Sequence, residues 1–233
     1  MSFVRLQPDD FVVSSDAISS ICWTTGSPAL TSFYTSSTQV NGSSGNYYIN
    51  VFDTPTTSSI QFAIAYGNAA GSGSANYNNL VNGRSPSSTI YGQWQDLVIG
   101  DENTNFVFGN ITSSEFFALP IERACYKESI FLGSLTLRLS GSNGVISLTD
   151  NSSLYATGNG LAVQFSEAGR VFQLVSGSAG TINTSRNANG YSVTSGSYGW
   201  LLPDIGTIIL NPLALAQPAV SGGIGFQYSG SAS

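Results

Sequence analysis

The sequence offers few side chains for acid–base chemistry. Its 233 residues include no histidine, which removes the commonest general base and most zinc sites. Paired carboxylates remain an option, as in glycoside hydrolysis, and two adjacent pairs occur, Asp9/Asp10 and Asp101/Glu102. Neighbours on a strand point to opposite faces, so we interpret both pairs as exposed turns rather than as a glycosidase or calcium site. We predict no catalytic residue and no enzymatic activity.

Ligands for metals and phosphates are equally sparse. Asp150, Asn151 and Asn103 could supply oxygens to Ca²⁺, but no Asp-x-Asp-x-Asp-Gly loop accompanies them. The run GSGS at 71–74 lacks the Gly-Lys-Ser/Thr that a phosphate-binding loop needs, and a flexible connection is the simpler interpretation. We therefore predict no metal-binding residue, no cofactor-binding residue and no cofactor.

Two aromatic side chains, Tyr91 and Trp94, are candidates for sugar recognition because an aromatic face suits a pyranose ring. They occur in a segment with helical spacing of apolar residues, which favours burial in a core instead. Exposed rings would support glycan binding, whereas buried rings would only stabilise the fold.

The helix that carries these rings is predicted over residues 85–100. Ser85 suits the N-cap, Pro86 suits the first helical position, and Gly100 suits the stop. Steps of four, three and one predict a single buried face, formed by Ile90, Trp94, Leu97 and Val98.

Alternating apolar residues predict strands through most of the chain. Residues 60–66 alternate, and 134–140 and 145–150 predict a hairpin whose leucines face inward while Thr136 and Arg138 face outward. Further strands are predicted at 11–13, 21–23, 32–35, 47–52, 106–109, 115–121, 171–177 and 198–210, with residues 32–35 and 47–52 paired and a turn at 203–204. The fold class is therefore all-β, mainly antiparallel and sandwich-like, with one or two short helices. We expect one domain over residues 1–233, with a flexible, small and polar segment at 221–233.

Composition favours a subunit that packs against others. Hydrophobic residues make up 41% of the chain and charged residues only 9%, so little net field keeps copies apart. A secreted β-domain with a hydroxyl-rich surface is the alternative. The seven basic residues are scattered, which argues against nucleic acid as a partner, and no apolar run predicts a secretory signal or membrane insertion. Cys22 and Cys125 are interpreted as buried thiols, with a bridge between them left open.

Six segments, in this order along the chain, carry a resemblance: QPDDFVVSS (7–15), FYTSSTQ (33–39), QFAIAYG (61–67), GSGS (71–74), SPSSTIY (85–91) and residues 198–210. This pattern resembles virion structural proteins of contractile-tailed bacteriophages, especially those of cyanobacteria. The resemblance covers most of the chain and contains no catalytic signature. It implies an all-β component of the tail, baseplate or fibre attachments.

These observations lead to one main expectation and three alternatives. The chain is expected to be a non-enzymatic virion component, made in the host cytoplasm and located in the virion, with other virion proteins and copies of itself as partners. A capsid decoration protein is a variant of this expectation. A receptor-binding module that recognises a host-surface glycan through exposed Tyr and Trp side chains is the second hypothesis, and a carboxylate glycosidase is the third.

Overall fold

The computed structural model describes residues 30, 34–35, 48–55, 59–71, 86–101, 103–126, 128–156, 162–186, 190–191 and 195–227. Several predictions lie outside these residues, namely the strands at 11–13 and 21–23, the Ser85 N-cap, the pair Asp9/Asp10, and the side chains Glu102 and Cys22.

Antiparallel strands dominate the described part of the chain, which confirms the all-β prediction. Eleven strands form one sheet in the order β1-β2-β3-β6-β13-β12-β10-β8-β7, with β9 and β11 also paired to β10, while β4 and β5 form a separate hairpin. The strands are β1 (Tyr34–Thr35), β2 (Ile49–Phe52), β3 (Ile60–Asn68), β4 (Phe106–Phe108), β5 (Ile111–Ser113), β6 (Glu115–Pro120), β7 (Leu137–Gly141), β8 (Gly144–Asp150), β9 (Gln164–Ser166), β10 (Gly169–Ser178), β11 (Thr181–Ile182), β12 (Gly199–Leu202) and β13 (Thr207–Leu210).

Three α-helices accompany the sheet in the described ranges: α1 (Pro86–Ile99), α2 (Ser152–Ala156) and α3 (Pro212–Ala216). Only α1 was predicted. The start of α3 is stabilised by Asn211, whose side chain accepts a hydrogen bond from the Leu213 N–H at 3.1 Å, and by Pro212 at the first helical position. None of the described helices is long and apolar enough to span a bilayer.

The central strands of the main sheet are packed on both faces, since successive residues along them belong to two different apolar clusters. In β13, Ile208 and Leu210 point to one cluster and Ile209 points to the other. We call the first cluster the inner core; its buried members include Ile146, Leu148, Phe172, Leu174, Leu201, Ile208 and Leu210. We call the second cluster the outer core; its buried members include Tyr91, Trp94, Phe106, Phe108, Phe116, Leu202 and Ile209.

The sheet curves around the inner core. Phe62 and Ile64 on β3 contact this cluster, and so do Leu137 and Leu139 on β7, although five strands separate β3 from β7 in the sheet. The sheet has the shape of a half barrel, and the inner core lies on its concave face between these strands. The layers of the predicted sandwich are therefore formed by one curved sheet, with α1 and the β4–β5 hairpin contributing to the outer core.

Two strand pairings predicted from the sequence are confirmed. β7 and β8 form a hairpin in which Gly141 pairs with Gly144, the leucines of β7 are half-buried and Arg138 is exposed. β1 and β2 are antiparallel, with Thr35 opposite Val51. The prediction missed the short strands β5, β9 and β11, which have two or three residues each and no alternation long enough to recognise.

The segment beyond residue 221 differs from the flexible tail that was expected. Ile224 is 1% exposed and belongs to the inner core. Its N–H donates to Leu215 O at 3.0 Å, and its carbonyl accepts from the Asn143 N–H in the β7–β8 turn at 2.9 Å. The reason is that Ile224 and Phe226 provide apolar side chains within an otherwise small and polar stretch. The expectation fails for residues 221–227, while residues 228–233 lie outside the described part.

Candidate functional site

The two aromatic candidates for sugar stacking lie in the outer core. Tyr91 is 2% exposed and Trp94 is 7% exposed, and their rings lie 5.4 and 6.5 Å from the Phe116 ring, centroid to centroid. The Tyr91 hydroxyl donates to Ser113 O at 2.7 Å, and burial raises the pKa of that hydroxyl. Core burial was the favoured interpretation and is confirmed; sugar stacking by these two rings is wrong.

One position of the predicted helix face is also wrong. Ile90, Trp94 and Val98 are buried as expected, but Leu97 is 51% exposed. At about 100° per residue, Leu97 lies at the margin of a stripe that also includes Tyr91, so it points past the sheet. Gly100 ends the helix as predicted, with φ of 78° and an N–H that donates to Asp96 O at 3.0 Å.

The acidic candidates have structural roles. Asp101 accepts hydrogen bonds from the Asn103 N–H at 2.9 Å and from Thr104 Oγ1 at 2.7 Å, in an exposed turn. The Asn103 backbone bond above all, and then the Thr104 hydroxyl, lower the pKa of Asp101. The interpretation of this position as an exposed turn is confirmed.

Asp150 is fully buried at the end of β8. Its carboxylate accepts from the Gly133 N–H at 3.0 Å and from the Ser152 N–H at 3.2 Å, so it connects the preceding loop to the start of α2. Asn151 Oδ1 accepts from the Gln173 N–H at 2.9 Å. These oxygens are used by backbone donors. Within the described ranges, no three Cys, Asp or Glu side chains come together as a possible metal site.

A partly buried ion pair holds the β9–β10 region against the turn before β13. Arg170 Nη2 lies 2.6 Å from Asp204 Oδ1, Arg170 Nε lies 3.0 Å from the same oxygen, and the Arg170 N–H donates to Asp204 Oδ2 at 2.8 Å. Burial tends to raise the pKa of Asp204, but the hydrogen bonds and charge of Arg170 outweigh it and hold the pKa below its ordinary value. Sequence spacing gave no sign of this pair, because its members are 34 residues apart.

An open cavity of about 380 Å³ lies between β8, β10 and β11. Its lining combines hydroxyl, amide and aliphatic groups with one guanidinium: Val145, Ile146, Ser147, Ser176, Gly177, Ser178, Thr181, Ile182, Asn183 and Arg186. Sequence reasoning missed this cavity because residues 178–190 read only as a Gly/Ser/Asn-rich connection. The signal that could have revealed it is a single arginine in an otherwise uncharged stretch.

Arg186 is fixed at the edge of this cavity by the C-terminal segment. Its Nη1 donates to Gly222 O, and the Tyr198 hydroxyl donates to the same oxygen at 2.5 Å. Burial raises the pKa of the Tyr198 hydroxyl, and the nearby Arg186 charge offsets only part of that increase. The Gly222 carbonyl therefore holds the Arg186 guanidinium next to the neutral polar groups that line the cavity.

Three exposed apolar side chains lie on β9, α1 and β4. Phe165 on β9 is 73% exposed, Leu97 on α1 is 51% exposed and Val107 on β4 is 41% exposed. The Glu167 N–H, in the β9–β10 turn, donates to Val98 O at 3.1 Å and so connects β9 to α1. These side chains are available for contact with another protein.

Comparisons with known proteins give no relative for this chain: no family model, no curated protein and no solved structure matches it.

Proposed function

We propose that this protein is a non-enzymatic structural component of a bacteriophage virion. It acts by assembling with copies of itself and with other virion proteins, in the tail, the baseplate or the fibre attachments. A capsid decoration protein is the variant of this proposal in which the same surfaces dock on the capsid shell. The whole-segment resemblance to virion proteins of contractile-tailed phages supports the proposal, and so does the physical character of the surface.

The observation that carries the proposal is the exposure of Phe165 on a chain that has few charged residues overall. β9 pairs with β10 on one side, and 73% of the Phe165 side chain is accessible to solvent. Only 20 of the 233 residues carry a formal charge, seven basic and 13 acidic, so most of the polar groups of the chain are uncharged. Aromatic side chains are enriched at protein interfaces, where charged residues are depleted from the buried centre.

Light scattering coupled to size-exclusion chromatography tests the proposal on the full chain. We expect a discrete oligomer whose mass exceeds 24.4 kDa and whose population grows with concentration. Phe165→Glu places a charge in the contact and should shift the protein toward the monomer, with an unchanged far-ultraviolet circular dichroism spectrum because Phe165 is exposed in the isolated chain.

Val220→Glu is the matched control, because Val220 is 95% exposed but lies in the short helical turn Ala219–Ser221, away from β9 in sequence. It should leave the oligomer intact. A chain that is monomeric at every concentration, and that binds no other protein of the particle, would contradict the proposal. Loss of the oligomer in Val220→Glu alone would contradict the role of Phe165.

A further inference from the structure

We propose that the cavity between β8, β10 and β11 binds a carboxylated sugar, such as a hexuronate unit of a saccharide. The inference concerns a small ligand and goes beyond the assembly role, on which it does not depend. It also assigns glycan recognition to residues other than Tyr91 and Trp94, which are buried in the outer core.

Charge is the first argument. Arg186 is the single charged residue among those that line the cavity, so the site presents one positive charge and no negative one. Nη1 of Arg186 is engaged by Gly222 O, and the structure records no ion pair for Arg186 in the described part of the chain. The remaining N–H groups can donate to a carboxylate in the paired geometry that guanidinium favours. One guanidinium matches the single charge of a carboxylate.

The neutral lining is the second argument. In the described part of the chain, the hydroxyls of Ser147, Ser176 and Thr181 form no hydrogen bonds, which leaves them available to the hydroxyls of a ligand. Val145, which is 46% exposed, and Ile182 add aliphatic surface that can contact the C–H face of a pyranose ring.

Size is the third argument. A volume of about 380 Å³ is at the lower end of the range for small-molecule sites, about 300 to 1,000 Å³. It accommodates one sugar ring with its carboxylate, while the open mouth leaves room for the rest of a saccharide to extend into solvent. The chemistry fits a free sugar acid or the acidic unit of a longer chain, and the experiment compares both.

Ligand-observed NMR with the full chain and sodium glucuronate tests the inference. We expect saturable binding with a dissociation constant on the order of 1 mM, as is typical for so small a ligand. Glucose lacks the carboxylate and acetate lacks the ring, so each should bind at least about tenfold more weakly. If a glucuronate-containing disaccharide binds as tightly as glucuronate, or more tightly, the ligand of the cavity is a unit of a longer saccharide. If the disaccharide binds much more weakly, the ligand is the free sugar acid.

Variants locate the binding. Arg186→Gln should weaken glucuronate binding about tenfold or more, because a charge-assisted hydrogen bond is lost. Arg138→Gln removes the same charge from an exposed position on β7 that does not line the cavity, and should change nothing. Since Arg186 also bonds to Gly222, Thr181→Trp serves as a second variant that fills the cavity from an exposed strand and keeps Arg186 in place.

The outcomes separate clearly. Selective loss of binding in Arg186→Gln and Thr181→Trp, with melting temperatures near that of the parent chain, supports the site. Equal binding of glucose and glucuronate overturns the inference. It is also overturned if Arg138→Gln and Arg186→Gln weaken glucuronate binding equally, because that would indicate unspecific attraction to positive charge. Full binding by Thr181→Trp would place the ligand elsewhere and also overturn it.

Discussion

Replacing Trp94 with alanine should destabilise the fold strongly, because α1 is held on the sheet mainly by its aromatic face. Trp94 is 7% exposed and packs edge-on to Phe116 on β6, with ring centroids 6.5 Å apart. Burying a tryptophan removes about 150 to 250 Å² from water. At about 25 cal/mol per Å², this corresponds to about 4 to 6 kcal/mol as an upper estimate.

Measured losses for large aromatic-to-alanine changes in cores are about 3 to 5 kcal/mol, and we expect Trp94→Ala to lie in this range. Leu97→Ala is the matched control on the same helix, because Leu97 is 51% exposed. It should change stability by no more than about 0.5 kcal/mol, since alanine is also a good helix former.

Urea unfolding followed by far-ultraviolet circular dichroism measures both variants without relying on tryptophan fluorescence. The free energy of unfolding of Trp94→Ala should fall while the m-value stays unchanged. A loss below about 1 kcal/mol for Trp94→Ala would refute the assignment of this ring to the core, because that is the size of an average surface or partly buried substitution. A large loss for Leu97→Ala would refute the orientation of the helix.

Two further predictions follow from buried and partly buried carboxylates. Asp150→Ala should lower the free energy of unfolding in urea by about 2 to 3 kcal/mol, because the N–H groups of Gly133 and Ser152 lose their acceptor. Asp150→Asn keeps one acceptor oxygen and should lower it less. Added Ca²⁺ should not raise the melting temperature of the parent chain. The pKa of Asp204 is lower in the folded chain than in the unfolded chain, so the Arg170–Asp204 contribution is present above the ordinary Asp pKa and is lost as pH falls through the lower folded value. The stability difference between the parent chain and Asp204→Asn should therefore shrink as pH falls from about 5 to about 2, and a constant difference would contradict this role of the ion pair.

The sequence pattern was sufficient to predict an element where the residues of that element alone determine its structure. The β7–β8 hairpin has alternating leucines and a glycine-bounded turn, and α1 has proline at its start, glycine at its end and apolar residues on one side. Both were predicted within a few residues. The packing of Tyr91 and Trp94 also followed from their spacing, because a helix that lies on a sheet must bury one stripe.

The arrangement of elements that are distant in sequence could not be predicted from local patterns. The curvature of the sheet depends on the order of strands that are distant in sequence, such as β3 beside β6 and β6 beside β13. The position of Ile224 in the inner core depends on a chain segment that returns to the β7–β8 turn. The cavity likewise requires Arg186 to meet Gly222, 36 residues away, and no local pattern encodes that meeting.

The central claim is a structural role in a phage particle, and quantitative mass spectrometry of purified particles tests it most directly. The particles are purified on a density gradient from cultures that express the chain from its natural genome. The account predicts peptides of this chain in the particle fraction, at a constant ratio to the major virion proteins across independent preparations. Absence of these peptides from the particles, or a ratio that falls with each further purification step, would contradict it.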